Sequence, residues 1–375
     1  MSALAIEEAF APLQDPRQAG KVEHRLMDIL ILALCGLLSG AQSYTEIVQM
    51  SEERLEFFRT RLGLALMSGI PSHDTFSKVF RMLDTETFAE CFLRWMSAAE
   101  IPLEGKQVNI DGKTLRRSHQ RSKGIGALHL VSAFVAEHGL VLGQRATEEK
   151  SNEITAIPEL LQALSLKGCI VSIDAMGTQT AIVETICDKG ADYLLPVKAN
   201  QPTLHADIIG YVEKAKSKQW RGIKHTTHRT VDADHGRVET RVCWAMPLPK
   251  ALGEHTERWK DLRTIAMIEA TREINGVVST ERRYYISSLA ADAALILSTA
   301  RSHWSIENKL HWRLDVQMRE DECRIRGNGA ENIAVLRRIA FNQLQRENSS
   351  KRSMKAKQLK ACMNNDYLEK VLALQ

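Results

Sequence analysis

The chain has 375 residues, of which 44% are hydrophobic and 26% charged, the balance of a soluble globular protein with room for two or three domains and a large core. The formal net charge of +4 is small but unevenly spread: residues 1–100 carry −5, residues 101–300 carry +3 and residues 301–375 carry +6, which points to a polyanionic partner for the C-terminal part. Seven cysteines, at positions 35, 91, 169, 187, 243, 323 and 362, stand singly without a C-x-x-C pair, which argues against a disulfide framework or zinc knuckle and for a reducing cytoplasm. The most apolar run, Ile29 to Leu38, is shorter than the roughly 20 residues a bilayer requires. It reads as a buried helix, and no membrane association is expected.

In chain order, residues 1–20 read as a loose arm, with Pro12 and Pro16 interrupting any helix. Helical patterns follow near 24–39, 44–62, 72–81 and 85–98, and residues 1–100 form an all-helical N-terminal domain. Ser72 is placed to cap the third of these, whose apolar stripe is Phe76, Val79, Phe80 and Leu83. His73, Lys78 and Arg81 would face a DNA groove if this set were an end-binding helix-turn-helix, although the region is acidic overall. From Gln107 the period changes to that of strands. Gln107 to Asp111, Leu128 to Ala136 and Leu140 to Thr147 make an antiparallel meander. A helix at 154–164, a buried strand at 169–174, a helix at 179–188, a strand at 193–198 and a helix near 201–216 complete the first part of an α/β core, residues 101–217, with a mixed sheet covered on both faces. Residues 218–290 read as a β-rich insertion, with strands at 238–245, 263–269 and 282–288 and an Asn275-Gly276 hairpin turn. Residues 291–348 complete the core with helices at 291–315 and 331–347, and 349–375 form a basic tail.

The helix at 301–315 concentrates the most reactive side chains. His303, Glu307, His311 and Asp315 recur every four residues and share a polar stripe, while Ile306, Leu310, Leu314 and Val316 lie toward a core. Trp304 and Trp312 flank the stripe and are read as packing residues that exclude water. A solvated face with i,i+4 pairs is the alternative. A zinc-enzyme reading of His303 and His311 lacks any H-E-x-x-H motif.

Asp111 and Asp174 each end an apolar strand and are followed at once by a small residue, Gly112 and Ala175. Ligands of α/β sheets bind at that edge, although each Asp alone could be a turn or cap residue. If the two strands are neighbours, the carboxylates emerge side by side and repel unless a cation lies between them. Oxygen ligands favour Mg²⁺, with Mn²⁺ as a substitute. Glu307, carried on a helix across the sheet, supplies the third acid, and three such groups can hold two ions about 4 Å apart for phosphodiester chemistry.

The motifs Val108-Asn109-Ile110-Asp111-Gly112-Lys113, Lys150-Ser151-Asn152-Glu153-Ile154, Ile173-Asp174-Ala175-Met176-Gly177-Thr178-Gln179, His235-Gly236-Arg237-Val238-Glu239 and His303-Trp304-Ser305-Ile306-Glu307-Asn308 resemble those of the insertion-sequence DDE transposases, in the ISAs-type branch that includes the H-repeat-associated proteins. The resemblance runs in order from about Asp15 to about Leu372. It implies an RNase-H-like core, metal-dependent DNA cleavage and strand transfer, and an acidic triad of Asp111, Asp174 and Glu307, separated by 63 and 133 residues. The long second gap matches members with a β-rich insertion before the Glu. A wider related group carries Tyr, Arg and Lys around the Glu, where this chain has Ala300, His303 and Leu314. Lys309, Arg301 and Arg313 are then the candidates for phosphate contacts.

Further candidates for DNA binding are Lys113, Arg116 and Arg117 after the first Asp, Lys198 and Asn200 on the same sheet edge, and His303 beside the Glu. His235, Arg237, Glu239 and Arg241 share one strand face and read as a DNA-flank contact or an exposed hairpin. The resulting expectation is a DNA transposase that binds the terminal repeats of a mobile element, cleaves with Mg²⁺ and joins the freed 3′-hydroxyl to target DNA. It would act as a homodimer in the synaptic complex, in the bacterial cytoplasm at the nucleoid. An RNase-H-like nuclease without strand transfer and an inactive DNA-binding relic are the alternatives.

Overall fold

A computed structural model of the protein describes residues 4–119, 124, 126–147, 153–234 and 237–373. Six helices come first: α1 (Leu4–Phe10), α2 (Leu26–Leu38), α3 (Tyr44–Glu52), α4 (Leu55–Thr60), α5 (His73–Met82) and α6 (Thr85–Ser97). The apolar run becomes α2, buried along nearly its whole length, as a helix without a polar side must be. Ser72 caps α5 by accepting from the Thr75 backbone N–H, and the stripe Phe76, Val79, Phe80 and Leu83 is wholly buried. The first part of the expected loose arm, Leu4–Phe10, is instead helical. Phe10 of α1 packs edge-on against Phe88 of α6, with ring centroids 5.1 Å apart, and Pro12 and Pro16 fall beyond the helix end, where they cost nothing.

The meander is β1 (Gln107–Thr114), β2 (His129–Val135) and β3 (Leu140–Thr147). Next come α7 (Glu153–Ala163), β4 (Ile170–Ile173), α8 (Thr180–Asp188), β5 (Asp192–Val197) and α9 (Pro202–Ser217), with β4 and β5 parallel to β1. The insertion contributes β6 (Thr226–Asp234), β7 (Arg237–Pro247), β8 (Thr264–Ile274) and β9 (Val277–Ser287). All nine described strands form one mixed sheet, ordered β3-β2-β1-β4-β5-β9-β8-β7-β6. The fold is thus the expected α/β, a mixed sheet preceded by a helical N-terminal region. The insertion lengthens that sheet, because β9 pairs antiparallel with β5. Two strand expectations are corrected. β1 does not end at Asp111-Gly112; it runs to Thr114, with Gly112 paired to Val131. β6 was missed because Thr226 to Asp234 is mostly polar, with only Val231 and Ala233 apolar, as an edge strand can be.

The two faces of β1 are dressed differently. Val108 and Ile110 point into the main core that α7 and α8 help to form. Gln107 and Asn109, on the other face, bond to the carbonyls of Thr299 and Ser302 in α10 (Ala293–His303). The expected single helix at 291–315 is broken into α10, a turn at Trp304, a π-helical turn at Glu307–His311 and α11 (Trp312–Val316).

α12 (Asn328–Arg346) then crosses the N-terminal helices, and its Asn342 exchanges hydrogen bonds with both backbone groups of Val141 on the edge strand β3. The residues expected to be a basic tail fold into α13 (Met354–Met363) and α14 (Asn365–Leu372). Lys357 is buried there and donates to the carbonyls of Leu344 and Glu347, and Lys360 lies over the Tyr367 ring, so these two cations are not free. No helix among the described residues is long and apolar enough to cross a membrane.

Candidate active site

The site is built where β1 and β4 end their parallel pairing. The last paired residues are Ile110 and Ile173, so Asp111 and Asp174 are the next step on adjacent strands and emerge side by side. Each is steadied locally: Asp111 Oδ1 accepts from the Gly112 N–H at 3.0 Å, and Asp174 Oδ1 accepts from the Gly177 N–H at 3.1 Å.

Glu307 arrives from across the sheet. Asn109 donates to the Ser302 carbonyl at 2.9 Å and to Ser305 Oγ at 3.3 Å, and so ties down the chain on either side of the break at Trp304. Beneath it, Ser172 Oγ donates to Asn109 Oδ1 at 2.8 Å and lies 3.0 Å from His303 Nδ1. This buried network docks the end of α10 on β1 and β4. The π-helical turn follows at once, a distortion that recurs at functional sites. Ile306, Leu310 and Leu314 anchor the segment in the core.

Asp111, Glu307 and His311 converge, their potential ligand atoms all lying within 4.8 Å of one another. His311 Nδ1 is 3.0 Å from Glu307 Oε2 and 3.6 Å from Asp111 Oδ2. Asp174 stands outside this tight group but lines the same cavity of about 320 Å³ with Asp111, His303 and Glu307. Electrostatics reflects the crowding. Burial lifts the Asp111 carboxyl to about 6, with Asp174 and Glu153 adding to the rise and His311 opposing it. The hydrogen bond from His311 holds Glu307 below the usual carboxylate range. Burial pushes His303 down to about 4 against the opposing charge of Asp174.

A divalent cation fits this donor set. An octahedral shell with metal–oxygen bonds of about 2.1 Å spans about 4 Å, close to the observed spread, and a cation would relieve the cost of ionising Asp111 beside Asp174. The cluster is not oxygen-only as expected, since the His311 ring stands among the acids with its Nδ1 hydrogen-bonded to Glu307.

The candidate DNA contacts divide. Lys198 and His303 line the cavity. Asn200 donates to the Ala175 carbonyl at 2.6 Å and so braces the loop after Asp174. Arg116 reaches Asp321 but stays largely exposed, as does Arg117. Arg237 and Arg301 line a neighbouring groove, and His235 lies outside the described residues. One of these expectations is corrected. Lys113 is buried among Asp315 at 2.5 Å, Asp321 at 3.0 Å and Glu320 at 3.7 Å, so its ammonium is neutralised. Lys309 bonds to the Ala136 carbonyl, and Arg313 bonds to Gln345 on α12; neither lines the acid cavity.

Trp304 and Trp312, expected to pack, are 54% and 50% exposed, and Val316 is 55% exposed. The sequence reading also missed Arg283 and Tyr285, which wall the cavity from β9. Their alternation along a strand was visible, but nothing in the chain said that β9 lies beside β5.

Family models and curated relatives place the chain among DDE transposases. Residues 101–343 match the family model described as Transposase DDE domain, and residues 7–96 match the one described as DDE_Tnp_1-associated. The "H repeat-associated putative transposase YhhI" of Escherichia coli K12 is 41% identical over 371 residues, 98% of this chain and 97% of that protein. YncI of Escherichia coli O157:H7, also named a transposase in those terms, is 41% identical over 377 residues, 100% of this chain and 95% of the relative. Among solved structures, a piggyBac transposase in a synaptic complex with hairpin DNA aligns at a TM-score of 0.45 and 11% identity, covering 99% of this chain and 82% of that one.

Proposed function

Because the chain belongs to the transposase DDE domain family, we propose that it is a DNA transposase that binds the ends of a mobile element, cleaves phosphodiester bonds there and joins the freed 3′-hydroxyl to target DNA. The observation that carries this reading is the adjacent emergence of Asp111 and Asp174 at one sheet edge, with Glu307 brought to them by the anchored break after α10. Asp111, Asp174 and Glu307 would hold Mg²⁺, or Mn²⁺ in its place, and the bound ions supply an activated oxygen nucleophile and charge stabilisation at the leaving oxygen.

The protein's own groups do the rest. His311 hydrogen-bonds Glu307 and fixes its orientation toward Asp111, the role that outer partners of a metal carboxylate play. His303, neutral in its buried place, contributes its ring without adding charge near the phosphate. Lys198 on the cavity wall meets a phosphate oxygen, and Arg116 and Arg117 lie exposed beyond β1 for the flanking backbone. The helices before residue 100 read the element end through the exposed side of α5, where His73, Lys78 and Arg81 face solvent. Pairing two ends calls for two copies of the chain, acting in the cytoplasm where the DNA is.

The test is cleavage and joining of a DNA carrying the element's end. Asp111→Ala, Asp174→Ala and Glu307→Ala should each abolish Mg²⁺-dependent cleavage while end binding persists. Cleavage surviving all three substitutions would refute the site, and cleavage without joined products would leave a nuclease.

A further inference from the structure

The strand alternation that puts Arg237, Glu239 and Arg241 on one face of β7 continues across the sheet. Glu239 pairs in register with Arg272 of β8, and Ile268 of β8 pairs with Arg283 of β9. That face is turned toward α10, which adds Arg301, and the sheet and helix enclose a groove of about 520 Å³. The groove is not separate from the acid cavity: Arg283, Tyr285, Ala300 and Trp304 line both.

Three carboxylates hold the arginines in place. Buried Glu239 meets Arg237 at 3.4 Å, Arg241 at 2.6 Å and Arg272 at 3.2 Å. Asp232 meets Arg241 at 2.5 Å and Arg301 at 2.9 Å, and Glu281 meets Arg283 at 2.8 Å. Five guanidinium groups against three acids leave two positive charges, and the bonded acids fix the donor forks before any ligand arrives. Pre-oriented guanidinium forks suit phosphate oxygens. At the junction of groove and cavity stands Trp304, half exposed, with the Arg283 guanidinium 5.3 Å from its ring centroid.

We propose that this groove carries a single, unstacked strand of DNA, the continuation of the strand whose phosphodiester enters the acid cavity, with Trp304 as the stacking platform for one of its bases. The proposal rests on the transposase reading for the identity of the strand. The acids of the cavity repel the neighbouring phosphates of a bound strand, so the backbone leaving it turns to the nearest positive wall. A duplex keeps its internal base faces inside its own stack, whereas an open strand offers them along its length to an exposed indole. The occupant is therefore a strand, not a helix of DNA.

The test uses the full-length protein without divalent metal and a fluorescent oligonucleotide of mixed sequence, about 20 nucleotides long, as a single strand and as a duplex. Binding is followed by anisotropy across a salt series. The variant with both Arg272→Ala and Arg283→Ala should bind the strand about tenfold or more weakly, with a salt slope smaller by about 1.4, as expected for two lost phosphate contacts on a single strand. Trp304→Ala should weaken strand binding about tenfold and leave duplex binding unchanged. Unaltered strand affinity in folded variants overturns the proposal, as does wild-type protein that binds the duplex and ignores the strand. If the variants fail to fold, photocrosslinking of the wild-type protein to a bromodeoxyuridine-bearing strand decides: an adduct on Trp304 supports the groove, and adducts confined elsewhere overturn it. Mg²⁺-dependent cleavage is scored separately. Cleavage with no strand in the groove removes this inference alone, and strand binding without cleavage removes only the transposase reading.

Discussion

At Gly112 the backbone passes so close to α7 that a methyl group would run into the Glu153 carboxylate and the His129 ring, which are themselves paired at 2.6 Å. Gly112→Ala should therefore destabilise the protein by about 1–3 kcal/mol through overpacking, read from the denaturant midpoint; a midpoint equal to wild type would mean that the pair can move aside. The glycine after Asp111 thus serves close packing, and the turn that Asp-Gly suggests in sequence does not form. His311 is the other residue whose part only the fold discloses. Its bond to Glu307 predicts that His311→Ala lowers cleavage about 10–100-fold and raises the Mg²⁺ concentration needed, with His311→Asn recovering part of the loss. A variant with unchanged metal dependence would reduce His311 to a packing residue.

Elements in this protein are held by a few contacts that can be cut one at a time. Asn109 clamps the backbone at Ser302 and the hydroxyl of Ser305, so it decides where α10 stops and where the π-helical turn starts. Asn109→Ala should cost about 1–3 kcal/mol by leaving buried groups unpaired, and it should lower cleavage more than DNA binding, since the Glu307 turn loses its anchor. Equal losses in both assays would count against that role. The N-terminal helix offers a sharper contrast. Phe10 is buried against Phe88, so Phe10→Ala should cost about 3–5 kcal/mol, whereas the same change in a loose arm would cost nothing measurable.

Over the whole molecule, a buried ion cluster ties the segment after the π-helical turn to α12 and β1. Glu320 is fully buried against Arg337, Arg338 and Lys113. Burial alone would raise its carboxyl, but the neighbouring Arg338, Lys113 and Arg337 charges outweigh that and hold it down at about 2. A carboxyl lowered on folding adds stability that is fully present above its ordinary range near 4.5 and fades as pH falls toward about 2. Unfolding free energy should drop over that window, and Glu320→Gln should flatten the drop while destabilising the protein by about 3–5 kcal/mol at neutral pH, because two arginines lose their partner. A pH profile identical in wild type and variant would show that other acids govern the loss. The cover that α12 gives to α2, α5 and α6 carries a second consequence: residues 1–100 alone should expose apolar faces, bind a hydrophobic dye and unfold without a cooperative transition.

Most of this architecture was written locally. Periodicity located α2, α5, α6, α12 and the core strands, because burying an apolar stripe or run is the dominant favourable term and leaves its period in the sequence. The positions of Asp111 and Asp174 beside apolar strand runs, and the acid at Glu307, were legible for the same reason, whereas the continuation of β1 to Thr114 was not. What lay beyond the sequence depended on partners distant along the chain. That Lys113 is buried under three acids, that Trp304 faces outward beside Arg283, and that β9 joins β5 so that its arginines reach the acid cavity are facts of pairing. A side chain carries no mark of which strand or helix will stand across from it, and only tertiary packing decides whether a charge is neutralised or left to meet a ligand.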